Sequence, residues 1–416
     1  MLISLIIPTR ERAAYLAECV CTATAIDDPD IEIVVSDNAS TDGTAEVMAA
    51  QRDPRIVSLR TERRVSMRQN FEFALERSRG DYVIFIGDDD GFLPRQFPAL
   101  RMILERERPD LFAWRPLTYG WPIPGFGRRV GGVRFHRSRA FEPPRRVDLL
   151  PARERLLRAD LAGMGPTPSI YHGCASRACL DRMRSHGGQV FGARSPDVYL
   201  SYYSVLSRDS FLYSHHAFSV NGYSPVSTGN AHHAYRSTDA RSGPAAKFGA
   251  EGAADPVQDA VPEYAPSLSL NLFGTLETVF ANLGGATRGD YVAWYRYVLS
   301  DTDPADAGKH AQVQAVLDAH ARRTATADEL RAARAAGGGR APSRRTVGAT
   351  LAKLWSNIDG FKCSARIGAT NTVRTAAEVA DAVLGDGMQS VVRSGRRSPA
   401  LWAGALARAL RGPVRR

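Results

Sequence analysis

The chain predicts an α/β fold: a mostly parallel sheet with helices on its faces, followed by a C-terminal helical extension. Three observations carry this. Short apolar runs alternate with helical patterns through the first 115 residues. The runs are continuously apolar, as strands covered on both faces are. The polar residues with chemical potential follow those runs, where the carboxyl ends of parallel strands place ligands.

The elements follow in order. Strands are expected at Ile3 to Ile7, Ile31 to Ser36, Ile56 to Arg60, Tyr82 to Ile86 and Leu111 to Arg115. Helices are expected at about Ala13 to Ala25, Thr44 to Gln51, Met67 to Arg79 and Pro94 to Arg106. From Thr118 to Asp148, Pro, Gly and Arg dominate, which reads as a long irregular or hairpin excursion, and such excursions are often binding loops. Regular patterning resumes at Pro151 to Leu161, Ser176 to Arg184 and Pro196 to Leu206, and Asn221 to Asn230 reads as a strand and loop. Helices are expected again at Ser267 to Ala281, Tyr291 to Leu299 and Ala305 to Ala335. Breaks rich in small and turn-forming residues divide the chain into a domain 1–235, a linker 236–262, a helical region 263–336, a linker 337–345 and a basic helical segment 346–416.

Composition bounds the classes of function. With 416 residues, 44% hydrophobic and 24% charged, the chain is globular and long enough for one large core and an appendage, or for two to three domains. The net charge is +10, carried by Arg, since Lys stands only at 247, 309, 353 and 362. Guanidinium groups suit phosphate-bearing ligands. Nucleic acid is not expected as a partner, because no basic helix with interleaved aromatics supports it. The five cysteines are odd in number and scattered, with no CxxC pair, so neither a disulfide framework nor a thiolate metal clamp is expected. The opening run Met1 to Pro8 has no basic region and is too short for a signal peptide, and no run of about 18 apolar residues exists. A cytoplasmic location is expected. From Gln389 to Arg416 there are seven Arg and no acid, and Ser398-Pro399 opens a helix with Leu401, Trp402, Ala405, Leu406, Ala409 and Leu410 on one face. Two readings stand for it: peripheral contact with an anionic membrane, or packing on the catalytic domain.

The most informative stretch is Asp81 to Asp90. An apolar strand runs into Gly87 and then Asp88, Asp89 and Asp90. Three carboxylates after a buried strand are costly unless a cation neutralises them. A divalent metal carrying phosphates fits, because Mg²⁺ uses one or two protein carboxylates and fills its shell with phosphate and water. An N-terminal cap cluster for the next helix is the structural alternative.

Four motifs in order complete the picture: Ile6 to Arg12, Val34 to Thr44, Arg68-Gln69-Asn70 and Gly80 to Asp90. Together they resemble the family 2 glycosyltransferases, nucleotide-sugar enzymes of the GT-A fold, from about residue 2 to 115. The resemblance implies that Pro8, Thr9 and Glu11 border the nucleotide base, and that Asp37 and Asn38 contact base and ribose. Turn-making is the other use of Asx, Ser40 and Asp42-Gly43. It further implies that Arg68 reaches the diphosphate, that Asp88 and Asp89 face the ribose and sugar, and that Asp90 binds a divalent metal, Mg²⁺ or Mn²⁺. The family's base is an Asp or Glu at a later helix start. Asp197 in Ser195-Pro196-Asp197 matches it, and an ordinary helix N-terminus reads the same way. A late histidine serves some such enzymes as an extra metal contact, and His232 is the candidate. The implied reaction is inverting, metal-dependent transfer of a sugar from a nucleoside diphosphate to a glycan or lipid-linked acceptor, in bacterial cell-surface polysaccharide synthesis. The alternatives are a sugar-phosphate nucleotidyltransferase, whose Gly-rich loop is missing from Pro8 to Arg12, and a catalytically inactive membrane-associated assembly protein.

Overall fold

The computed structural model describes residues 1–122, 131–136, 139–224, 251–252, 254–256, 267–285, 287–302, 306–336 and 360–411. The first half follows the expected order: β1 (Ile3–Thr9), α1 (Ala13–Thr24), β2 (Ile31–Asp37), α2 (Thr44–Ala49), β3 (Ile56–Arg60), α3 (Met67–Glu76), β4 (Tyr82–Phe85), the short β5 (Gly91–Phe92), α4 (Phe97–Glu107) and β6 (Leu111–Trp114). Strands β3, β2, β1 and β4 are mutually parallel neighbours. α3 begins with a capping box, Ser66 accepting from Gln69 N while the Gln69 side chain returns to Ser66 N.

The excursion after β6 is more regular than its composition suggests. It contains β7 (Leu117–Gly120), β8 (Gly132–His136) and β9 (Arg145–Asp148), with residues 123–130 and 137–138 outside the described ones. Next come α5 (Leu150–Leu157), β10 (Gly173–Ser176), α6 (Arg177–Gly187), α7 (Pro196–Ser207), β11 (Ser210–Ser214) and β12 (Ser219–Tyr223). Two sheets result. The eight-stranded sheet has the order β3-β2-β1-β4-β10-β6-β11-β9, with β10 inserted antiparallel between β4 and β6. The five-stranded sheet includes β7, β8, β12 and β5.

Successive residues of the central strands face opposite layers. Ile3, Leu5, Ile7, Ile84 and Ile86 pack with α1 and α4. Ile6, Val83 and Phe85 pack with α3 and α7, and with the helices α8 (Leu268–Asn282), α9 (Tyr291–Ser300), α10 (Ala307–Thr324) and α11 (Ala327–Ala335). The helix expected from Ala305 to Ala335 is therefore two. Ala325 takes the left-handed conformation at φ 54°, and Thr326 is bonded to the Tyr295 hydroxyl, so the chain turns instead of continuing.

The C-terminal segment packs into the same core as the N-terminal sheet. β13 (Gly360–Ser364) pairs antiparallel with β8, and α12 (Val373–Leu384), α13 (Gly387–Ser394) and α14 (Pro399–Arg411) cover the same layer as α1 and α4. Leu401, Trp402, Ala405 and Ala409 of α14 lie against that core, and Trp402 meets Phe361 at a 5.2 Å ring distance. Of the two readings of this helix, packing on the chain's own core describes Leu401, Trp402, Ala405 and Ala409, while Leu410 stays 80% exposed. Among the described residues, no helix is long and apolar enough to cross a membrane.

Candidate active site

The loop after β1 is built by a strained residue. Glu11 sits at φ 53°, a conformation L side chains rarely adopt. Its carboxylate pairs with Arg64 and accepts from Thr41 N at 2.9 Å, and its own N–H donates to Ser40 Oγ. Glu11 thus fastens the first loop to the second. Asp37 works inside the second loop. One oxygen accepts from Ser40 N at 2.9 Å and the other pairs with Arg60. Asn38 brackets Val65, accepting from its N–H and donating to its C=O. The turn-making role of these side chains is therefore fully used.

The aspartate run lies at the carboxyl end of β4, and its three side chains are only 1–3% exposed. Asp88 accepts from Thr9 Oγ1 at 2.7 Å and from Arg12 Nη1 at 2.9 Å. Asp89 accepts from Ser224 Oγ at 2.5 Å, and its other oxygen is 3.9 Å from Arg12. Asp90 accepts from Gly87 N, from Gly222 N at 2.7 Å and from the Tyr171 hydroxyl at 2.5 Å. His172 Nε2 stands 3.3 Å from Asp90, while Nδ1 is 2.8 Å from Ser219 Oγ. Burial, then Asp90 and Asp88, push the Asp89 carboxyl up to about 7. Burial alone would lower the Arg12 pKa, but Asp88 and Asp89 together hold it above its ordinary value.

These groups line a cavity of about 400 Å³. Pro8, Thr9, Arg10 and Arg12 form one side, Asn38, Met67, Asn70 and Phe71 another, and Asp88 to Asp90 the floor. α7 contributes Ser195 and Asp197, β12 contributes Asn221 to Tyr223, and α8 contributes Leu268, Asn271 and Leu272. Burial raises the Asp197 carboxyl above the usual range, opposed by backbone N–H groups of Val198 and of Asp197 itself.

The structure thus brings Pro8, Thr9, Asn38, Asp88, Asp89, Asp90 and Asp197 to one space. Glu11, Asp37 and Arg68 are not on its wall. Arg68 is buried behind it, forked onto Asp255 at 2.6 and 2.8 Å and bonded to Gln189. That corrects its expected reach to a diphosphate: the guanidinium's donors are turned to the protein. His232 lies outside the described residues. The segment read as a linker supplies Asp255, and also Glu251, which lines the cavity and pairs with Arg10 at 2.8 Å. Sequence reasoning missed Arg12, Tyr171 and His172. Arg12 stood inside a quoted motif. The other two lie on a loop with no local pattern, and His172 is marked only by its φ of 52°.

The donor set fits a divalent metal. Of the three buried carboxylates, Asp88 and Asp89 reach the Arg12 guanidinium and Asp90 does not, and burial first, then the neighbouring Asp90 and Asp88, make Asp89 less acidic. Among the described residues, no three His, Cys, Asp or Glu side chains form a closed metal cage. An ion that keeps phosphate and water in its shell needs no such cage.

Parts of the chain are similar to known proteins. The model of glycosyl transferase family 2 matches residues 4–160. The abequosyltransferase RfbV of Salmonella typhimurium is 34% identical over 112 residues, 26% of this chain and 34% of that protein. An uncharacterized protein of Mycobacterium tuberculosis is 33% identical over 99 residues, 24% of this chain and 31% of that one. The chain therefore spans about a third of the length of the curated relatives it matches. Staphylococcus aureus TarS 1-349 in complex with UDP-GlcNAc aligns at a TM-score of 0.43 and 17% identity, over 80% of this chain and 90% of that one. The mannosyltransferase PcManGT of Pyrobaculum calidifontis, in complex with GDP-Man and Mn2+, aligns at 0.35 and 16%, over 80% and 86%. Residues 4–160, which include the strand-end loops and the aspartate run lining the cavity, are the part of the chain that resembles glycosyl transferase family 2.

Proposed function

We propose that the chain is an inverting, divalent-metal-dependent glycosyltransferase. It moves a sugar from a nucleoside diphosphate to an acceptor hydroxyl in the synthesis of a bacterial cell-surface polysaccharide. One observation carries the reading: Asp197 and the aspartate run, a hundred residues apart in sequence, line the same cavity. The family match and the name of the abequosyltransferase relative support the same class of reaction.

The residues divide the work as follows. Pro8, Thr9 and Asn38 form the rim for the nucleotide, and Asp88, fixed by Thr9 and Arg12, faces the ribose and sugar. Asp90 would hold the metal, and Asp89, like Asp88, would face the ribose and sugar. When bound, the ion neutralises charge on the departing diphosphate. Tyr171 and Gly222 N fix the Asp90 carboxylate. Asp197 accepts the proton of the attacking hydroxyl, and its raised pKa makes it a stronger base than an exposed aspartate.

Titration calorimetry with nucleoside diphosphates, with and without Mn²⁺, tests the reading. Binding should require the metal and fall at least about tenfold in Asp90→Ala. Metal-independent binding that ignores this substitution would sink it.

A further inference from the structure

The two oxygens of the Asp90 carboxylate are filled unevenly. Oδ2 accepts from Gly87 N at 2.7 Å and from the Tyr171 hydroxyl at 2.5 Å, while Oδ1 accepts from Gly222 N at 2.7 Å. An ionised carboxylate has about two acceptor positions on each oxygen. The protein therefore uses both positions on Oδ2 and one on Oδ1. Donors on both oxygens also stop the group from turning to present the two together. Two of these donors are backbone N–H groups, which the fold supplies whatever the side chains. The third is the Tyr171 phenol.

Several features place that phenol. The segment carrying it is laced to the end of β4: Phe85 N donates to Ile170 O at 2.9 Å, and His172 N donates to Phe85 O at 3.2 Å. A Cβ on Gly87 would overlap the Tyr171 hydroxyl, so the glycine ahead of the aspartate run makes room for it. His172 takes φ 52°, a left-handed conformation of the kind that clusters at functional sites. Its ring stands edge-on to Tyr171, with 4.8 Å between ring centres and 85° between planes. The ring is anchored to Ser219 Oγ at 2.8 Å, and that oxygen also accepts from Trp114 Nε1 at 2.8 Å. His172 thus backs the phenol, with its Nε2 3.3 Å from Asp90.

A carboxylate with one open oxygen does not suit all cations alike. Ca²⁺ takes about six to eight oxygens in flexible geometry and often uses both oxygens of a carboxylate. Mg²⁺ demands near-octahedral geometry and is held through one or two carboxylates with phosphate and water, and Mn²⁺ shares the octahedral oxygen shell. We propose that Tyr171 is a positioning residue that restricts Asp90 to one open oxygen and thereby selects a small octahedral ion, Mg²⁺ or Mn²⁺, against Ca²⁺. This rests on the reading of Asp90 as the metal ligand and adds the residue that decides between ions. Gly87 and His172 act through Tyr171. A phenol that merely filled space would affect every ion equally.

The test uses the full chain, Tyr171→Phe, which keeps the ring and removes the hydroxyl, and Asp90→Ala. Mn²⁺ binding is read from the electron paramagnetic resonance signal of the free ion, alone and with UDP or GDP, and Ca²⁺ is titrated in as competitor. The wild-type chain should bind Mn²⁺ at least about tenfold more tightly than Ca²⁺, and Tyr171→Phe should lower that ratio at least about fivefold. Gly87→Ala, whose methyl crowds the phenol off Asp90, should lower it in the same direction. Infrared spectra give a second reading, because a carboxylate bound through one oxygen separates its two stretching bands more widely than one bound through both. Difference spectra against Asp90→Ala should show the one-oxygen pattern in the wild-type chain and, with Ca²⁺, the two-oxygen pattern in Tyr171→Phe. A two-oxygen pattern in the wild-type chain, or a ratio in Tyr171→Phe within about twofold of wild type, overturns the proposal and leaves the metal reading standing. If Mn²⁺ binds neither alone nor with nucleotide, or binds Asp90→Ala as tightly as wild type, the metal reading fails and this proposal falls with it.

Discussion

A Cβ on Gly222 would lie 1.7 Å from the carbonyl oxygen of Asp89, because β12 brings its backbone onto the aspartate run to donate to Asp90. Gly222→Ala must push the strand away. We expect a loss of roughly 2 kcal/mol of stability together with weakened metal-dependent nucleotide binding, read by denaturant unfolding and calorimetry. Arg68 separates structure from function differently. Removing it leaves Asp255 buried without its fork, so Arg68→Ala should cost on the order of 3 kcal/mol while direct nucleotide contacts remain. A fall in nucleotide affinity at unchanged stability would restore the diphosphate role. Asp197 must be ionised to act as a base, so the rate should rise with pH along an acid limb displaced above the ordinary aspartate range. Asp197→Asn should keep donor binding and lower turnover by about 10² to 10⁴. A pH–rate profile and a donor titration check the pair of outcomes.

At the scale of elements, the first half of the fold could be read because each strand is an apolar run closed by turn chemistry. β1 to β4, β6, α1 and α3 fall within a few residues of expectation. Elements fixed by a distant partner could not be read. β10 has four residues, Gly173–Ser176, and exists because β4 and β6 pair with it on both sides. β13 has two inward residues, Phe361 and Cys363, and depends on β8. α14 had a legible start and a legible apolar face, but the surface it packs on is built by β13 and α12, through Phe361, Val383 and Leu384, whose own place depends on the sheet. Trp402→Ala should therefore destabilise the whole catalytic layer, by about 2 kcal/mol in denaturant unfolding, with nucleotide affinity retained.

Across the whole molecule, the C-terminal helices are tied to the catalytic domain through a buried acid. Asp381 on α12 accepts from Arg95 N and from the Gln96 side chain, while Arg95 pairs with Asp386 at 2.7 Å. Burial is the main cause that lifts the Asp381 carboxyl to about 6. The unfolded chain releases this proton near pH 4, the folded one near 6, so unfolding gains as pH rises between them. Stability should fall by on the order of 3 kcal/mol over that window, and Asp381→Asn should flatten the difference in melting curves taken from pH 4 to 7. By itself the sequence determined the alternating plan, the strand-end loops and the acidic floor, because period, turn residues and charge density are local properties of a chain. Tertiary structure decided which of those residues share a cavity. It turned Arg68 inward to Asp255, set Glu11 and Asp37 to hold loops, delivered Tyr171, His172 and Gly222 to Asp90, and laid α14 on the core. Each of these follows from pairing and burial between segments far apart in sequence, where the cost of an unpartnered charge or apolar face is settled only once the chain has closed.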